Sequence, residues 1–413
     1  MNWILPTPRG IVFSLTAIGA VGVALINVGL GTALAAASLV GMVFASFLMA
    51  LFSLYGFSVT RSPCHDGERG AELNMPLVIR NRGFFFRQAV VVSEKIPFAP
   101  DGIFRCVLPP MRPRSQVLFE RWVPARRRGF FDLKRVTLIG GDPAGLFSRF
   151  RIYRLPAEVM VGPEIIKIGQ LPMHLEGRAI LSPEGRPLGI SGSGQEFFGI
   201  REYRPSDELR FIHWKSTAAK RKLMVKEFEA GSLDQVTVIL DTEKKYVGAD
   251  PEENNFEFLL KIAGSIFANL SELYCRVQFI TFTAGGEKLR IRGDASGIYP
   301  EILNALAIVQ PGKGRLDELL DYGLELIYPN SIFYCLTMSE DQMVSSQLEE
   351  FTANHIEVRW IMAPRNYFPI IDPEQPRVIR KALPEAASGI LKPQVVNFNT
   401  NLNELLCHEQ SEY

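Results

Sequence analysis

The chain has 413 residues, enough for roughly two to four folded units. Its 45 Lys and Arg residues nearly balance its 44 Asp and Glu residues, so the whole-chain charge gives no support for a bound nucleic acid or an acidic substrate. The five cysteines are scattered without a Cys-x-x-Cys pair, and no His-Glu-x-x-His motif occurs, which argues against a disulfide framework, a structural zinc site and a histidine-built metal centre.

Residues 1–60 are predicted to form a transmembrane helix hairpin. Between Ile11 and Leu54 the only strongly polar side chain is Asn27, and about 20 apolar residues suffice to cross a bilayer as a helix. The segment 27–32 contains Asn and Gly and is typical of a turn, so the helices are expected near 11–28 and 33–55. The alternative is a cleaved signal peptide, but a second apolar span follows the first.

The charges that flank these spans predict the orientation. Arg9 precedes the first span, Arg61 and Arg69 follow the second, and the turn is uncharged. Because cytosolic segments near a span are enriched in Lys and Arg, both flanks are expected in the cytosol.

Small residues recur every four positions in the second span, at Ala33, Ala37, Gly41 and Ala45. This small-residue stripe is expected to pack closely on the first span. The alternative is that alanines merely fill an apolar helix.

Residues 61–165 are predicted to form an all-β, sandwich-like domain. Short runs rich in Val, Ile and Phe are separated by Pro, Gly and Arg clusters, a spacing typical of such folds. Strands are expected within 73–80, 86–93, 116–123 and 136–139.

This domain also carries a basic stretch with few acids, formed by Arg112, Arg114, Arg121, Arg126, Arg127, Arg128, Lys134 and Arg135. Next to a membrane, such a patch could meet anionic membrane lipid. The alternative is a solvated sheet face. Nucleic acid is not an expected partner, because no recognition motif accompanies the charge.

The rest of the chain divides into three parts: a connector and signature segment (166–231), an α/β domain (232–392) and a C-terminal tail (393–413). The α/β domain is predicted from alternating strands and helices, which imply a parallel sheet with a Rossmann-like layout. Its strands are expected at 235–240, 276–283, 331–337 and 358–362, and its helices at 256–273, 316–327 and 342–355.

The signature segment is the most informative stretch of the chain. Ser206 or Asp207 could cap a helix that runs from Glu208 towards Lys222, and Trp214 is expected to be buried. The residues singled out here, in a structural or interaction role, are Glu196, Arg201, Tyr203, Asp207, Arg210, His213, Trp214 and Lys215.

One motif of this segment resembles the signature of the bacterial domain-of-unknown-function 58 family. It is Glu-Phe-x-x-Ile-Arg-x-Tyr-x-x-x-Asp-x-x-Arg-x-Ile-His-Trp-Lys, at residues 196–215. The motifs Arg127-Arg128-Gly129-Phe130 and Asp142-Pro143-Ala144-Gly145-Leu146-Phe147 are similar to motifs of that family. The resemblance implies a membrane-anchored multidomain protein of the bacterial inner (cytoplasmic) membrane, with an α/β domain like von Willebrand factor A. It also implies that the protein functions together with a MoxR-type AAA+ ATPase, often alongside a transglutaminase-like membrane protein. The processes implied are protein-complex assembly or envelope maintenance.

The resemblance further implies a possible metal-ion-dependent adhesion site, Asp-x-Ser-x-Ser, after the first strand of the α/β domain. In this chain the corresponding residues are Asp241-Thr242-Glu243-Lys244-Lys245. Glu243 and Lys245 take the places of the two serines, and the ammonium group of a lysine cannot coordinate a cation. The site at Asp241 is therefore expected to be degenerate, with no bound metal and no cofactor.

Two functions follow as hypotheses. The first is a non-enzymatic membrane scaffold or adaptor that binds protein partners. The alternative is a hydrolase or nuclease centred on Asp207, His213 and Lys215, with His213 as a base and Lys215 stabilising an oxyanion or phosphate. The spacing of His213 and Ser216 is equally natural for an ordinary packed helix, which favours the structural role.

Overall fold

The computed structural model divides into two compact units, Met1–Gly162 and Pro163–Tyr413. The residues that the structure describes are 2–27, 29–173, 197–202, 212–220, 222–228, 235–273, 275–339, 341–371, 376–379 and 391–407.

Two apolar helices lie near the start of the first unit, α1 (Pro8–Ile26) and α2 (Leu30–Ser53). Both are long and apolar enough to cross a membrane, which confirms that part of the prediction. A strand that was not predicted, β1 (Asn2–Pro6), precedes α1. Its five residues are too few to show a pattern, and it forms by pairing with a distant strand.

The face between the two helices differs from the predicted one. All four residues of the small-residue stripe are exposed, whereas Ala36, Ser46 and Ala50 of α2 and Ala17 of α1 are buried. At 3.6 residues per turn, these four residues lie on the side of α2 opposite Ala36, Ser46 and Ala50, so the stripe faces away from the buried side. The prediction that this stripe packs on α1 was wrong.

The remaining strands of the first unit are β2 (Phe57–Arg61), β3 (Gly67–Glu68), β4 (Glu72–Asn74), β5 (Leu77–Asn81), β6 (Val90–Lys95), β7 (Ile103–Leu108), β8 (Gln116–Phe119), β9 (Trp122–Pro124), β10 (Gly129–Gly141) and β11 (Phe147–Gly162). They form three sheets, with the orders β1-β11-β10-β6-β7, β2-β5-β8 and β4-β9, and β3 lies beside β11. All pairings are antiparallel except β3 with β11. Side chains of β2, β5, β6 and β10 share one core, in which Val59, Ile79, Val92 and Leu138 are buried.

The predicted basic stretch is not one surface. Arg121 is buried and pairs with Glu94 of β6, Nη2 to Oε2 at 2.8 Å. Arg61 pairs with the other carboxylate oxygen, Oε1, of the same Glu94. The expectation that Arg121 faces lipid or solvent was therefore wrong, because Glu94 supplies a buried counter-charge from a separate strand.

The elements of the second unit are β12 (Phe197–Glu202), α3 (Trp214–Lys220), β13 (Met224–Phe228), β14 (Gln235–Leu240), α4 (Asn255–Ser271), β15 (Arg276–Phe282), β16 (Lys288–Asp294), α5 (Ala295–Ile308), α6 (Leu316–Leu326), β17 (Ile332–Thr337), α7 (Gln342–Ala353), β18 (Glu357–Met362), β19 (Pro369–Ile371), β20 (Pro376–Ile379), β21 (Gln394–Val395) and α8 (Leu402–Cys407). Its main sheet has the order β16-β15-β14-β17-β18-β21. Every neighbouring pair is parallel except β15 with β16.

Helices cover both faces of this sheet, as expected for an α/β unit. One core contains buried residues of α4, α5 and α8, and the other contains buried residues of α6 and α7. Successive residues of β14 alternate between them, with Val238 in the first core and Ile239 in the second. The four predicted strands and three predicted helices are present with small shifts of their ends.

Two segments outside the predicted α/β domain, the start of the connector and the tail, also pack on the α/β unit. The backbone N–H of Ile166 donates to Ser265 Oγ at 3.0 Å, and Arg359 Nη2 donates to the carbonyl of Pro172 at 2.5 Å. In the tail, Leu402 and Leu406 are buried in the first of the two cores. The start of the predicted connector and part of the predicted tail therefore belong to the fold of this unit.

Candidate functional site

The signature segment forms a small hairpin with a short helix between its strands. β12 pairs antiparallel with β13, and Arg201 lies opposite Val225. Four of the residues singled out from the sequence, Glu196, Tyr203, Asp207 and Arg210, lie outside the described residues. The expected helix cap at Ser206 or Asp207 lies outside them as well.

The helix of this segment, α3, begins at Trp214, and the predicted start at Glu208 lies outside the described residues. The two preceding residues pair with β13, since Ile212 forms a bridge with Val225 and the N–H of His213 donates to the carbonyl of Met224 at 2.8 Å. Ile212 and His213 are therefore extended, and the helix predicted to run without interruption from Glu208 towards Lys222 does not include them.

His213 occupies the capping position of α3. Its ring Nδ1 accepts the backbone N–H of Ser216 at 3.2 Å, and its carbonyl accepts the N–H of Thr217 at 3.0 Å. A side chain that accepts the N–H of the third helical residue satisfies a backbone donor that the helix itself leaves unpaired.

The same Nδ1 lies 2.8 Å from Ser216 Oγ. A ring nitrogen that accepts a backbone N–H carries no proton, so the hydroxyl is the donor in this contact. Among the described residues, none of the hydrogen bonds of the His213 ring goes to a carboxylate, and Lys215 is exposed. His213 therefore forms a helix cap, and Asp207, the acid of the hydrolase hypothesis, lies outside the described residues.

Trp214 is 68% exposed. The expectation that it is buried was wrong, because α3 starts at this residue and the chain before it is held against β13. A tryptophan side chain left in solvent exposes a large apolar area, and tryptophan is enriched among the residues that dominate protein interfaces.

The second candidate site lies directly after β14, at Asp241. This side chain is fully buried; its Oδ1 accepts the N–H of Glu243 at 2.8 Å, and its Oδ2 accepts the N–H of Met338 at 3.0 Å. Met338 follows β17, so Asp241 joins the carboxyl ends of two neighbouring parallel strands, the edge of an α/β sheet where ligands commonly bind.

The groups around Asp241 do not fit a divalent cation. Both of its oxygens are already engaged by backbone donors, and the next carboxylate, Glu243, pairs with the ammonium group of Lys245 at 2.8 Å. A cation of the Ca²⁺ or Mg²⁺ class needs about six oxygen ligands. Within the described parts of the chain, no group of three or more His, Cys, Asp or Glu side chains is arranged to hold a metal. The arrangement acts as a structural link between two loops.

Burial raises the pKa of Asp241 from 3.8 to about 6. The folded protein therefore binds this proton more tightly than the unfolded chain, and the stability that this group contributes is complete below pH 3.8 and is lost as the pH rises through about 6. Lowering the pH from 7 to 5 should raise the contribution of this group to the free energy of unfolding by about 1 kcal/mol. Asp241→Asn should lack this gain. Urea unfolding of both full-length proteins in detergent at the two pH values measures the difference, and equal pH dependence would contradict the prediction.

The helix hairpin of the first unit is attached to the β-sheet part at the start of α1 and at the end of α2. At the start of α1, Thr7 Oγ1 donates to the carbonyl of Gly145 at 2.6 Å and the Thr7 N–H donates to the carbonyl of Leu146 at 2.9 Å. Gly10 packs so closely here that a Cβ on it would lie 1.9 Å from the carbonyl oxygen of Leu146. The Asp142–Phe147 motif thus forms the turn on which α1 begins.

The end of α2 is capped by two arginines, Arg87 of the loop between β5 and β6 and Arg151 of β11. Arg87 Nη1 donates to the carbonyl of Phe52 at 2.6 Å, and Arg151 Nη1 donates to the carbonyl of Leu54 at 3.1 Å. Cations are stabilising at the negative end of a helix dipole. We call these contacts, at Thr7, Gly10, Phe52 and Leu54, the hairpin-docking contact. Sequence reasoning missed it, because its partners are separated by 35 to 139 residues along the chain.

Residues 199–314 match the family model described as "Protein of unknown function DUF58". Over this segment the chain is similar to the DUF58 family. The match to the DUF58 model begins in β12, includes α3 and Asp241, and ends between α5 and α6. The uncharacterized protein YeaD of Bacillus subtilis (strain 168) is 22% identical over 212 residues, which are 47% of this chain and 50% of YeaD.

The chain also has weak similarity to solved structures of glycoside hydrolases. A β-glucosidase from Listeria innocua in complex with laminaribiose shares 16% identity, with 26% of this chain and 16% of that one covered, at a TM-score of 0.15. An exo β-N-acetylglucosaminidase from Vibrio harveyi shares 6% identity, with 74% of this chain and 56% of that one covered, at a TM-score of 0.15. Similarity this low bears on neither fold nor function.

Proposed function

We propose that the chain is a non-enzymatic membrane-anchored adaptor whose α/β unit, of the von Willebrand factor A type, binds a MoxR-type AAA+ ATPase. The observation that carries the proposal is the exposure of Trp214 within the DUF58 segment. Lys215 beside it is exposed too, so the first turn of α3 offers an aromatic side chain and a cation to a protein partner. A transglutaminase-like membrane protein is a further proposed partner.

Membrane anchoring is supported by the apolar helices and by the hairpin-docking contact. Neither helix contains a charged residue in its membrane-length apolar stretch, which fits an anchor and not a transport path. Arg82, Arg87 and Arg151 lie on the β-sheet side of this contact. Arginines concentrated at the ends of spans favour the cytosolic side of the bacterial inner membrane for both soluble parts.

The test is capture of the full-length tagged protein from detergent extracts of its own cells. We expect mass spectrometry to identify a MoxR-type AAA+ ATPase with the unchanged protein and about tenfold less of it with Trp214→Ala, the loss expected when an interface anchor is removed. Trp122→Ala is the matched control, because Trp122 is 53% exposed but belongs to the first unit. Absence of the ATPase from the unchanged protein, or equal recovery with both variants, would contradict the proposal.

A further inference from the structure

The loop between β5 and β6 carries a run of three exposed phenylalanines. Phe84, Phe85 and Phe86 are 72%, 74% and 60% exposed. A contiguous apolar patch of this kind marks a place where a protein meets an apolar surface. We propose that this loop, residues 82–87, inserts into the lipid leaflet from which α2 emerges. The inference rests on the membrane anchoring proposed above and adds a second, separate attachment to the bilayer.

The loop lies beside the end of α2. Arg87, its last residue, donates from Nη1 to the carbonyl of Phe52 in the last turn of the helix, and the N–H of Arg82, its first residue, donates to the carbonyl of Gly56 at 2.8 Å. Tyr55, which follows the helix, is 63% exposed. Both ends of the loop are thus attached to the point where the chain leaves the apolar span, so its tip is at the level of the membrane boundary.

Buried hydrogen bonds fix the conformation of the loop. Asn81 is 1% exposed, and its Nδ2 donates to the carbonyls of Phe85 and Arg112, each at 3.0 Å. Its Oδ1 accepts the N–H of Gly83 at 3.0 Å. The backbone is therefore held from inside while the three aromatic rings point away from the protein. Because the loop is already ordered, little conformational entropy is lost when the rings enter another phase.

Exposed cations surround the rings. Arg82, Arg112 and Arg114 are exposed, and the guanidinium of Arg114 lies 4.5 Å from the centre of the Phe84 ring. Trp3, shortly before α1, is 44% exposed. Aromatic side chains among arginines match the boundary of a leaflet, where rings reach the acyl chains and guanidinium groups meet anionic phosphates. This charge pattern and the position beside the span identify an anionic lipid surface as the occupant.

The experiment places one added tryptophan at each of two sites in the full-length protein. Phe85→Trp probes the loop, and Phe130→Trp is the matched control. Phe130 is 55% exposed and follows Arg127 and Arg128, so it is also aromatic and next to arginines. It lies roughly 30 Å along β10 from Gly140, which packs against the end of α2.

Both variants are reconstituted into vesicles of phosphatidylcholine and phosphatidylglycerol with brominated acyl chains, which quench nearby tryptophan. After subtraction of the unchanged protein, we expect the quenching at position 85 to exceed that at position 130 about threefold. Equal quenching at both positions would overturn the proposal. Weak quenching at position 85 that accompanies self-association would assign the loop to a second copy and overturn it too. Release of the protein from the vesicles by alkaline carbonate would overturn the anchoring itself, which separates the two failures.

Discussion

Glu94→Ala should destabilise the first unit by about 3–5 kcal/mol, the cost of leaving buried charges without a partner. The Glu94 side chain is fully buried between Arg61 and Arg121, whose side chains are 6% and 1% exposed. Removal of the one carboxylate leaves two guanidinium groups facing each other in the core. Urea unfolding of the full-length protein in detergent measures the loss, and with most domains stable by only 5–15 kcal/mol the variant should be partly unfolded at 37 °C.

Two controls separate the buried charge from ordinary loss of a side chain. Asp132→Ala removes an exposed carboxylate that lies 3.9 Å from Lys134, and should change stability by less than about 0.5 kcal/mol. Replacement of the whole triad by apolar residues, Arg61→Met with Glu94→Leu and Arg121→Met, should recover most of the loss, because no charge then remains buried. A Glu94→Ala protein as stable as the unchanged one would contradict the prediction.

Gly10→Ala should separate the start of α1 from the β-sheet turn and lower stability by about 3 kcal/mol. The new methyl group would lie 1.9 Å from the carbonyl oxygen of Leu146, and backbone atoms at such a contact cannot rotate away. The helix must shift, and the hydrogen bonds of Thr7 to the same turn are then strained. Thermal unfolding in detergent should show a lower Tm.

Gly19→Ala is the matched control in the same helix. No heavy atom lies within 4 Å of a Cβ built at Gly19, so the added methyl group meets open space. Alanine also favours a helix over glycine by about 1 kcal/mol. The control should therefore be neutral or slightly stabilising, and equal effects of the two substitutions would show that α1 is not seated on this turn.

Sequence patterns predicted the elements that local composition determines. The two apolar helices are continuous runs, and β14 was placed at 235–240 because a buried parallel strand is a short run of apolar residues. β16 was missed because it is an edge strand in which Arg and Lys alternate with apolar residues, and its pairing with β15 follows from the fold.

Features that depend on distant contacts could not be predicted. The sequence around Arg121 is typical of a surface arginine, and nothing in it shows that Glu94, on another strand, forms a buried ion pair with it. Trp214 has the character of a core residue in the sequence, but it is exposed because Ile212 pairs with Val225 and Trp214 is the first residue of α3. The cap formed by His213 depends on that same pairing. The roles assigned to Asp207 and Arg210 stay predictions, since these residues lie outside the described part of the chain.

The hairpin-docking contact also has a consequence for the choice of membrane. α1 has 19 residues and α2 has 24, so at 1.5 Å per residue their lengths are about 28 and 36 Å. A free helix that is too long for a bilayer tilts, but here the start of α1 and the end of α2 are both held by the β-sheet part of the first unit, so in the proposed anchoring the tilt is set by the protein. Mismatch must then be relieved by the lipids, which thicken or thin around the helices. With the proposed anchoring, we therefore expect the protein to be most stable in bilayers of one hydrophobic thickness.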